Sequence, residues 1–307
     1  MARFLESELP LLSPEDCLFH VIPVPFEATV SYGGGTASGP SAIIEASNQL
    51  EVWTGETNPG EYGIFTWPDV VCDADTAKTM DAIATATTTA LHSRGSNKIV
   101  PVLLGGEHSI TFGSLRALKK HYGEIGVIQF DAHADLRDTY GGTKYSHACV
   151  MRRAVDDLGL PLFQLGVRSL SPEEVAFRKE KNIPHLDARE FAHLGGAAWL
   201  RERKKLLLPD NFPKRVFLTF DVDALDSGIM PATGTPEPGG FSWWESLTLI
   251  RSCLAGRECI GFDVMETAPM KGFDAPTFTA ARLTYELMAE ALRTLDDCVQ
   301  KSTSFTS

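Results

Sequence analysis

The chain has 307 residues, 43% of them hydrophobic and 22% charged, with a formal net charge of −12. That balance excludes a disordered or collagen-like chain and leaves ample apolar material for a deep core. It also gives no basic footprint for phosphate backbones, so nucleic acid is not an expected partner, whereas cationic substrates would be drawn in.

No run approaches the roughly 18 consecutive apolar residues of a membrane helix. The segment MARFLESELPLLSPEDC carries acids where an export signal would be basic and then apolar, so a cytoplasmic protein is expected. Six scattered cysteines (Cys17, Cys72, Cys149, Cys253, Cys259, Cys298) form no Cys-x-x-Cys pair and read as reduced thiols.

In chain order, Leu18 to Val24 predicts a first strand. A glycine-rich loop follows, with Pro40 at the first turn of a helix running through Ile43, Ile44 and Leu50. The spacing Gly34-x-x-x-x-Gly39-Pro40-Ser41 superficially matches a P-loop, but Pro40 stands where the phosphate-binding lysine must be. Residues 58–69, rich in Pro, Gly and aromatics, read as an irregular excursion, and Asp73 to Arg94 as a helix. Ile99 to Leu104 predicts a buried strand, followed by a helix from about Ser109 to Tyr122. Further strands are expected at Ile125–Phe130, Leu162–Val167, Val216–Phe220 and Cys259–Val264, and a last helix at about Thr279–Leu295. The Trp243-Trp244 pair is expected to pack against the sheet. Strands alternating with helices predict one α/β domain over residues 1–307, its sheet covered on both faces.

Three of these strands run into acids or histidine: Glu107-His108, Asp131-Ala-His133-Ala-Asp135 and Asp221-Val-Asp223. Alternate side chains share a strand face, so each string could present its members together, in the crevice beyond the carboxyl ends of a parallel sheet. A lone Asp-x-Asp at a strand end is more often a turn former than a ligand, and a lone histidine such as His20, His92, His121, His185 or His193 is usually structural or solvated. Convergence changes the balance. Without a cation, clustered carboxylates would have to take up protons. Four Asp and two His balance two divalent ions, and oxygen-rich ligands without thiolate favour Mn²⁺, with Ni²⁺, Co²⁺ or Fe²⁺ possible and zinc less natural.

Together these residues resemble the ureohydrolases, the arginase and agmatinase family. Gly-Gly-Glu-His-Ser (105–109), Asp-Ala-His-Ala-Asp (131–135) and Asp-Val-Asp-Ala-Leu-Asp (221–226) are similar to the three signatures of that family. Ser146-His147 with Met151-Arg152-Arg153, the Thr233–Gly240 loop and Asp263-Val-Met-Glu266 extend the likeness. The family commonly has Pro at the place of Ser227, Gly at that of Ala232 and Gly at that of Ala148. The resemblance implies a three-layer α/β/α fold with a mostly parallel central sheet, a pair of Mn²⁺ ions at its carboxyl edge, and a homo-trimer or homo-hexamer. His108, Asp131, Asp135 and Asp221 would serve one ion, and Asp131, His133, Asp221 and Asp223 the other.

The chemistry then assigns roles. A guanidinium carbon resists neutral water, and two divalent ions would supply a stronger nucleophile. Asp135 would aim it. The departing amine must be protonated, and His147, with an ordinary pKa of about 6.5, would shuttle that proton. Glu266 would orient the guanidinium through charge-assisted hydrogen bonds. Without the resemblance, His147 would read as a turn histidine and Glu266 as a helix cap or surface ion-pair acid. The expected substrate is a small cationic guanidino compound. Agmatine comes first, because Leu136-Arg137-Asp138 stands where arginases carry an Asn-containing segment. Aminopropylagmatine, guanidinobutyrate, guanidinopropionate and arginine are the alternatives, and Arg137 could pair with the carboxylate of an acidic one. Two other classes compete: a one-metal hydrolase such as a zinc deacetylase, and a catalytically silent binding relative.

Overall fold

A computed structural model describes the backbone of residues 2–95, 98–203 and 207–303, with side chains as far as Leu295. Cys298 lies outside the described side chains, and the other five cysteines are free. Among the described residues eight strands form one sheet: β1 (Phe19–Val24), β2 (Ile64–Thr66), β3 (Val100–Gly105), β4 (Gly126–Phe130), β5 (Leu162–Leu165), β6 (His185–Leu186), β7 (Arg215–Asp221) and β8 (Glu258–Met265). Their spatial order is β2-β1-β3-β8-β7-β4-β5-β6, and every pairing is parallel.

Strands β1, β3 and β4 are buried at every position, as apolar runs covered on both sides must be. Alternation divides them between two cores. Val21, Val102, Ile128 and Leu218 face helices α1 (Gly39–Ser47), α8 (Trp243–Leu254) and α9 (Ala275–Thr303). Ile22, Leu103, Val127 and Phe217 face α2 (Thr76–His92), α3 (Thr111–Tyr122), α4 (Val150–Asp156) and α5 (Pro172–Glu180). Short helices α6 (Ala188–His193) and α7 (Ala197–Glu202) add Phe191 and Leu200 to the first core. The result is the three-layer α/β/α arrangement expected.

Several expectations need correcting. The excursion at 58–69 contains a 3₁₀ turn, Pro59–Tyr62, started by Asn58 Oδ1 accepting from Gly60 N–H, and the edge strand β2. The first helix stops at Ser47, short of Leu50, and the fifth strand stops at Leu165, short of Val167. Of the tryptophan pair only Trp243 packs on the core, while Trp244 is 74% exposed. Neighbouring helix positions are about 100° apart, so one face cannot take both. Pro40 does open α1, just after the turn Thr36–Ser38.

Strand order also opens a cleft. The chain leaves β3 and re-enters at β4 across the places later filled by β8 and β7, so the loops after β3 and β4 diverge and leave a crevice at the carboxyl edge.

Candidate metal centre and catalytic pocket

All six expected ligands meet in that crevice, although not by strand alternation. Asp131, His133 and Asp135 lie in the loop beyond β4, and Asp223 sits in a 3₁₀ turn, Val222–Ala224, just past β7. Turn chemistry places them instead. Asp131 Oδ1 accepts from His133 N–H at 2.6 Å, Asp221 Oδ1 from Asp223 N–H at 2.9 Å, and Asp223 Oδ1 from Ala132 N–H at 2.9 Å. Each of these carboxylates braces the backbone with one oxygen and turns the other inward. Turn former and ligand candidate are thus one residue, not alternatives.

Inward, His108 Nδ1 faces Asp131 Oδ2 at 3.2 Å, Asp135 Oδ2 at 3.2 Å and Asp221 Oδ2 at 3.3 Å. His133 Nδ1 faces Asp223 Oδ2 at 3.0 Å and Asp131 Oδ1 at 3.7 Å. Two donor groups share Asp131: His108 with Asp131 and Asp135, and Asp131 with His133 and Asp223. Neighbouring ligands around one ion at roughly 2.1 Å are about 3 Å apart, which is this spacing.

A buried hydrogen-bond chain supplies the test of fit. His108 Nε2 lies 2.7 Å from Thr219 Oγ1, and Thr219 in turn hydrogen-bonds Asp263. Asp263 also accepts from Thr111 Oγ1 at 2.7 Å and Phe220 N–H at 3.2 Å. A carboxylate accepts only, so Thr219 donates to it and His108 Nε2–H donates to Thr219. Nδ1 is then a lone pair, buried without a hydrogen-bond partner and aimed at three carboxylate oxygens. That arrangement calls for positive charge at Nδ1, from a metal ion or, in its place, a proton shared with the carboxylates. Burial would lower the His108 pKa, but the carboxylates raise it well above its ordinary value.

The titration shifts make the same demand for positive charge. Burial, with Asp131 alongside, pushes Asp135 up to about 7. Asp221 is raised well above the carboxylate range by burial and by the charges of Asp223 and Asp131. Burial would lower His133, but hydrogen bonds to Asp131 and Asp223 carry it up to about 12. A divalent ion relieves both kinds of shift at once.

The centre forms the floor of a pocket of about 210 Å³, whose walls include Tyr32, Arg137, Tyr140, His147, Glu174 and Glu266. Glu266 follows β8, is 7% exposed, and has φ +64, a left-handed conformation that non-glycine residues adopt at a cost. Its Oε1 accepts from His108 N–H at 2.7 Å while its own N–H donates to Gly106 O at 2.9 Å. Burial pushes its carboxyl up to about 8. Asp135 is left-handed too, with φ +53. His147 begins the 3₁₀ turn His147–Cys149, half-buried, and burial lowers its pKa. Arg137 is not free: its Nε lies 4.0 Å from Glu174 Oε2 and its guanidinium covers the Tyr140 ring at 5.2 Å.

Thr29, Gln129 and Thr219 belong to the site's surroundings and were not singled out from the sequence, whereas Glu107 was named beside His108 without a role. Gln129 Nε2 donates to Asp131 Oδ2 at 2.7 Å, and a glutamine inside the apolar run Val-Ile-Gln-Phe was the available signal. Thr29 gave none.

The arginase family model matches residues 18–290. An N(1)-aminopropylagmatine ureohydrolase of Synechocystis sp. is 40% identical over 291 residues, 93% of this chain and 92% of that protein. An agmatinase of Pyrococcus horikoshii is 32% identical, over 95% of this chain and 98% of the relative. The crystal structure of agmatine ureohydrolase of Thermoplasma volcanium superposes with a TM-score of 0.82 at 28% identity, over 97% of this chain and 96% of that one. Match, fold and ligand geometry agree: the chain belongs to the arginase family, and as a ureohydrolase it is a hydrolase of guanidino compounds.

Proposed function

We propose that the protein hydrolyses N(1)-aminopropylagmatine to urea and a triamine, using two Mn²⁺ ions. The observation that carries the reading is the pair of donor groups sharing Asp131 at the floor of the same pocket that holds His147 and Glu266. His108, Asp131, Asp135 and Asp221 would hold one ion, and Asp131, His133, Asp221 and Asp223 the other. Such ions neutralise the carboxylates and supply an oxygen nucleophile at neutral pH.

The residues then divide the work. Glu266 keeps Oε1 on His108 N–H, which leaves Oε2 to take guanidinium N–H groups and turn the carbon towards the floor. A bound guanidinium cation also holds Glu266 ionised against the burial that raises it. Asp135 accepts a hydrogen bond from the attacking water and aims it. His147 hands a proton to the departing amine, because an amide anion is too basic to leave.

The choice of a polyamine tail follows the name of the Synechocystis relative, and Arg137 in the pocket wall, engaged by Glu174 and Tyr140, is not free to pair with a carboxylate tail. Agmatine, expected first from the sequence, is the second reading, supported by the names of the Pyrococcus and Thermoplasma proteins. A single ureohydrolase domain, a homo-trimer or homo-hexamer, and a cytoplasmic place in polyamine synthesis complete the proposal. Urea release after Mn²⁺ loading tests it, with aminopropylagmatine, agmatine, arginine, guanidinobutyrate and guanidinopropionate side by side. Aminopropylagmatine should give the highest kcat/KM. Preference for a carboxylate-bearing compound would overturn the substrate, and saturation at one ion per chain would overturn the paired centre.

A further inference from the structure

Glu107 stands beside a proposed ligand yet takes no part in the centre, and its surroundings say why. It is fully buried, and both oxygens are saturated. Oε2 accepts from the backbone N–H groups of Ala28 at 2.6 Å and Thr29 at 2.5 Å. Oε1 accepts from the hydroxyls of Thr29 at 2.7 Å and Ser109 at 2.6 Å. Four donors fill the acceptor positions of a carboxylate and leave none for an ion.

Thr29 has a single hydroxyl proton. At 2.7 Å from a carboxylate oxygen that proton must lie between the two, since otherwise lone pairs would face each other. Thr29 Oγ1 is therefore an acceptor towards everything else. Two groups of His147 reach it: the backbone N–H at 3.0 Å and ring Nδ1 at 3.1 Å. Nδ1 must carry the proton in that contact, which makes Nε2 the basic nitrogen of the neutral ring. Ser146 Oγ, 3.4 Å from the same Nδ1, also takes Ala148 N–H and offers a longer, weaker contact. The Tyr140 ring meets the imidazole edge-on at 5.8 Å and limits its tilt.

We propose that Glu107 and Thr29 are positioning residues for the reaction: together they fix His147 as the Nδ1–H tautomer and set its ring, so that Nε2 is the nitrogen that exchanges the proton with the substrate. This rests on the reading of His147 as proton shuttle. It pairs with the His108–Thr219–Asp263 chain, where the same carboxylate–threonine–histidine order leaves Nδ1 as the lone pair instead.

Thr29→Val keeps the shape and removes the hydroxyl, and Thr29→Ser keeps the hydroxyl. In the Mn²⁺ enzyme, Thr29→Val should lower kcat about 10- to 100-fold, the usual effect of a lost supporting hydrogen bond, with KM and metal content little changed. Thr29→Ser should restore most of it. Ring ¹⁵N shifts of the Zn²⁺-loaded protein give a readout independent of turnover. In the unaltered chain His147 should show a protonated Nδ1 and a bare Nε2, and Thr29→Val should lose that preference. An Nε2–H ring in the unaltered chain overturns the proposal even if Thr29→Val fails to fold. Unchanged kcat in Thr29→Val alongside a crippled His147→Ala overturns the relay but leaves the shuttle standing. Full activity in His147→Ala removes the shuttle and the relay with it.

Discussion

His147 and Glu266 reach the pocket from different loops and touch different parts of the reaction, so their substitutions should separate. His147→Ala is expected to keep both ions and lose roughly 10²- to 10⁴-fold in kcat, the usual worth of a positioned acid–base group. Metal analysis checks it, because loss of ions would move His147 into the ligand set. Glu266→Gln should raise KM about tenfold or more, as a charge-assisted hydrogen bond to the guanidinium becomes a neutral one. Unchanged kinetics would take Glu266 out of the site. A histidine away from the site carries a stability prediction. His20 is fully buried, with Nε2 near the carbonyls of Pro14 and Cys17 and with Nδ1 accepting from Trp67 Nε1 at 2.9 Å. Burial lowers its pKa to about 4. The neutral ring's contribution is complete above pH 6.5 and is lost as pH falls towards 4, by about 2 to 3 kcal/mol at pH 4.5. Urea unfolding at pH 7.5 and 4.5 should show a loss larger by that amount than in His20→Gln, and equal losses would refute it. The ligand candidates were legible because the fold strings them along three short stretches. Thr29 and Thr219 were not, since their partners lie 118 and 111 residues away and nothing local marks them.

At the level of elements, the close approach of the β3 and β1 loops holds the floor of the pocket. Gly106 N–H donates to Val24 O at 3.0 Å, Glu107 N–H to Phe26 O at 2.9 Å, and Glu266 N–H to Gly106 O. A Cβ on Gly106 would collide with the Phe26 carbonyl oxygen. Gly106→Ala should therefore push these loops apart, lowering both stability, by about 1 to 3 kcal/mol, and ion content. Unaltered melting and full ion content would show that the loops tolerate the methyl group. The central strands announced themselves as apolar runs because both their faces are covered. Strand β2 has three residues and β6 has two, one of them an exposed histidine, so neither is long enough to show a period. Helices α4, α6 and α7 are two turns or shorter and equally silent.

Across the whole molecule the net charge of −12 acts at a distance. For a cationic guanidino substrate kcat/KM should fall as ionic strength rises from low values, while for zwitterionic guanidinobutyrate it should stay nearly flat. Parallel salt profiles would mean that the field does not steer. The carboxylates that split their two oxygens between backbone and centre have a wider effect. Because peptide N–H groups already hold one oxygen each of Asp131, Asp221 and Asp223, chelation should demand little local folding, and removing the ions should leave a preformed, charge-crowded mould instead of slack loops. Such a mould should refill quickly and tolerate cycles of stripping and reloading. Its selectivity for one metal over another would then rest on a fixed size more than on adaptation to the guest.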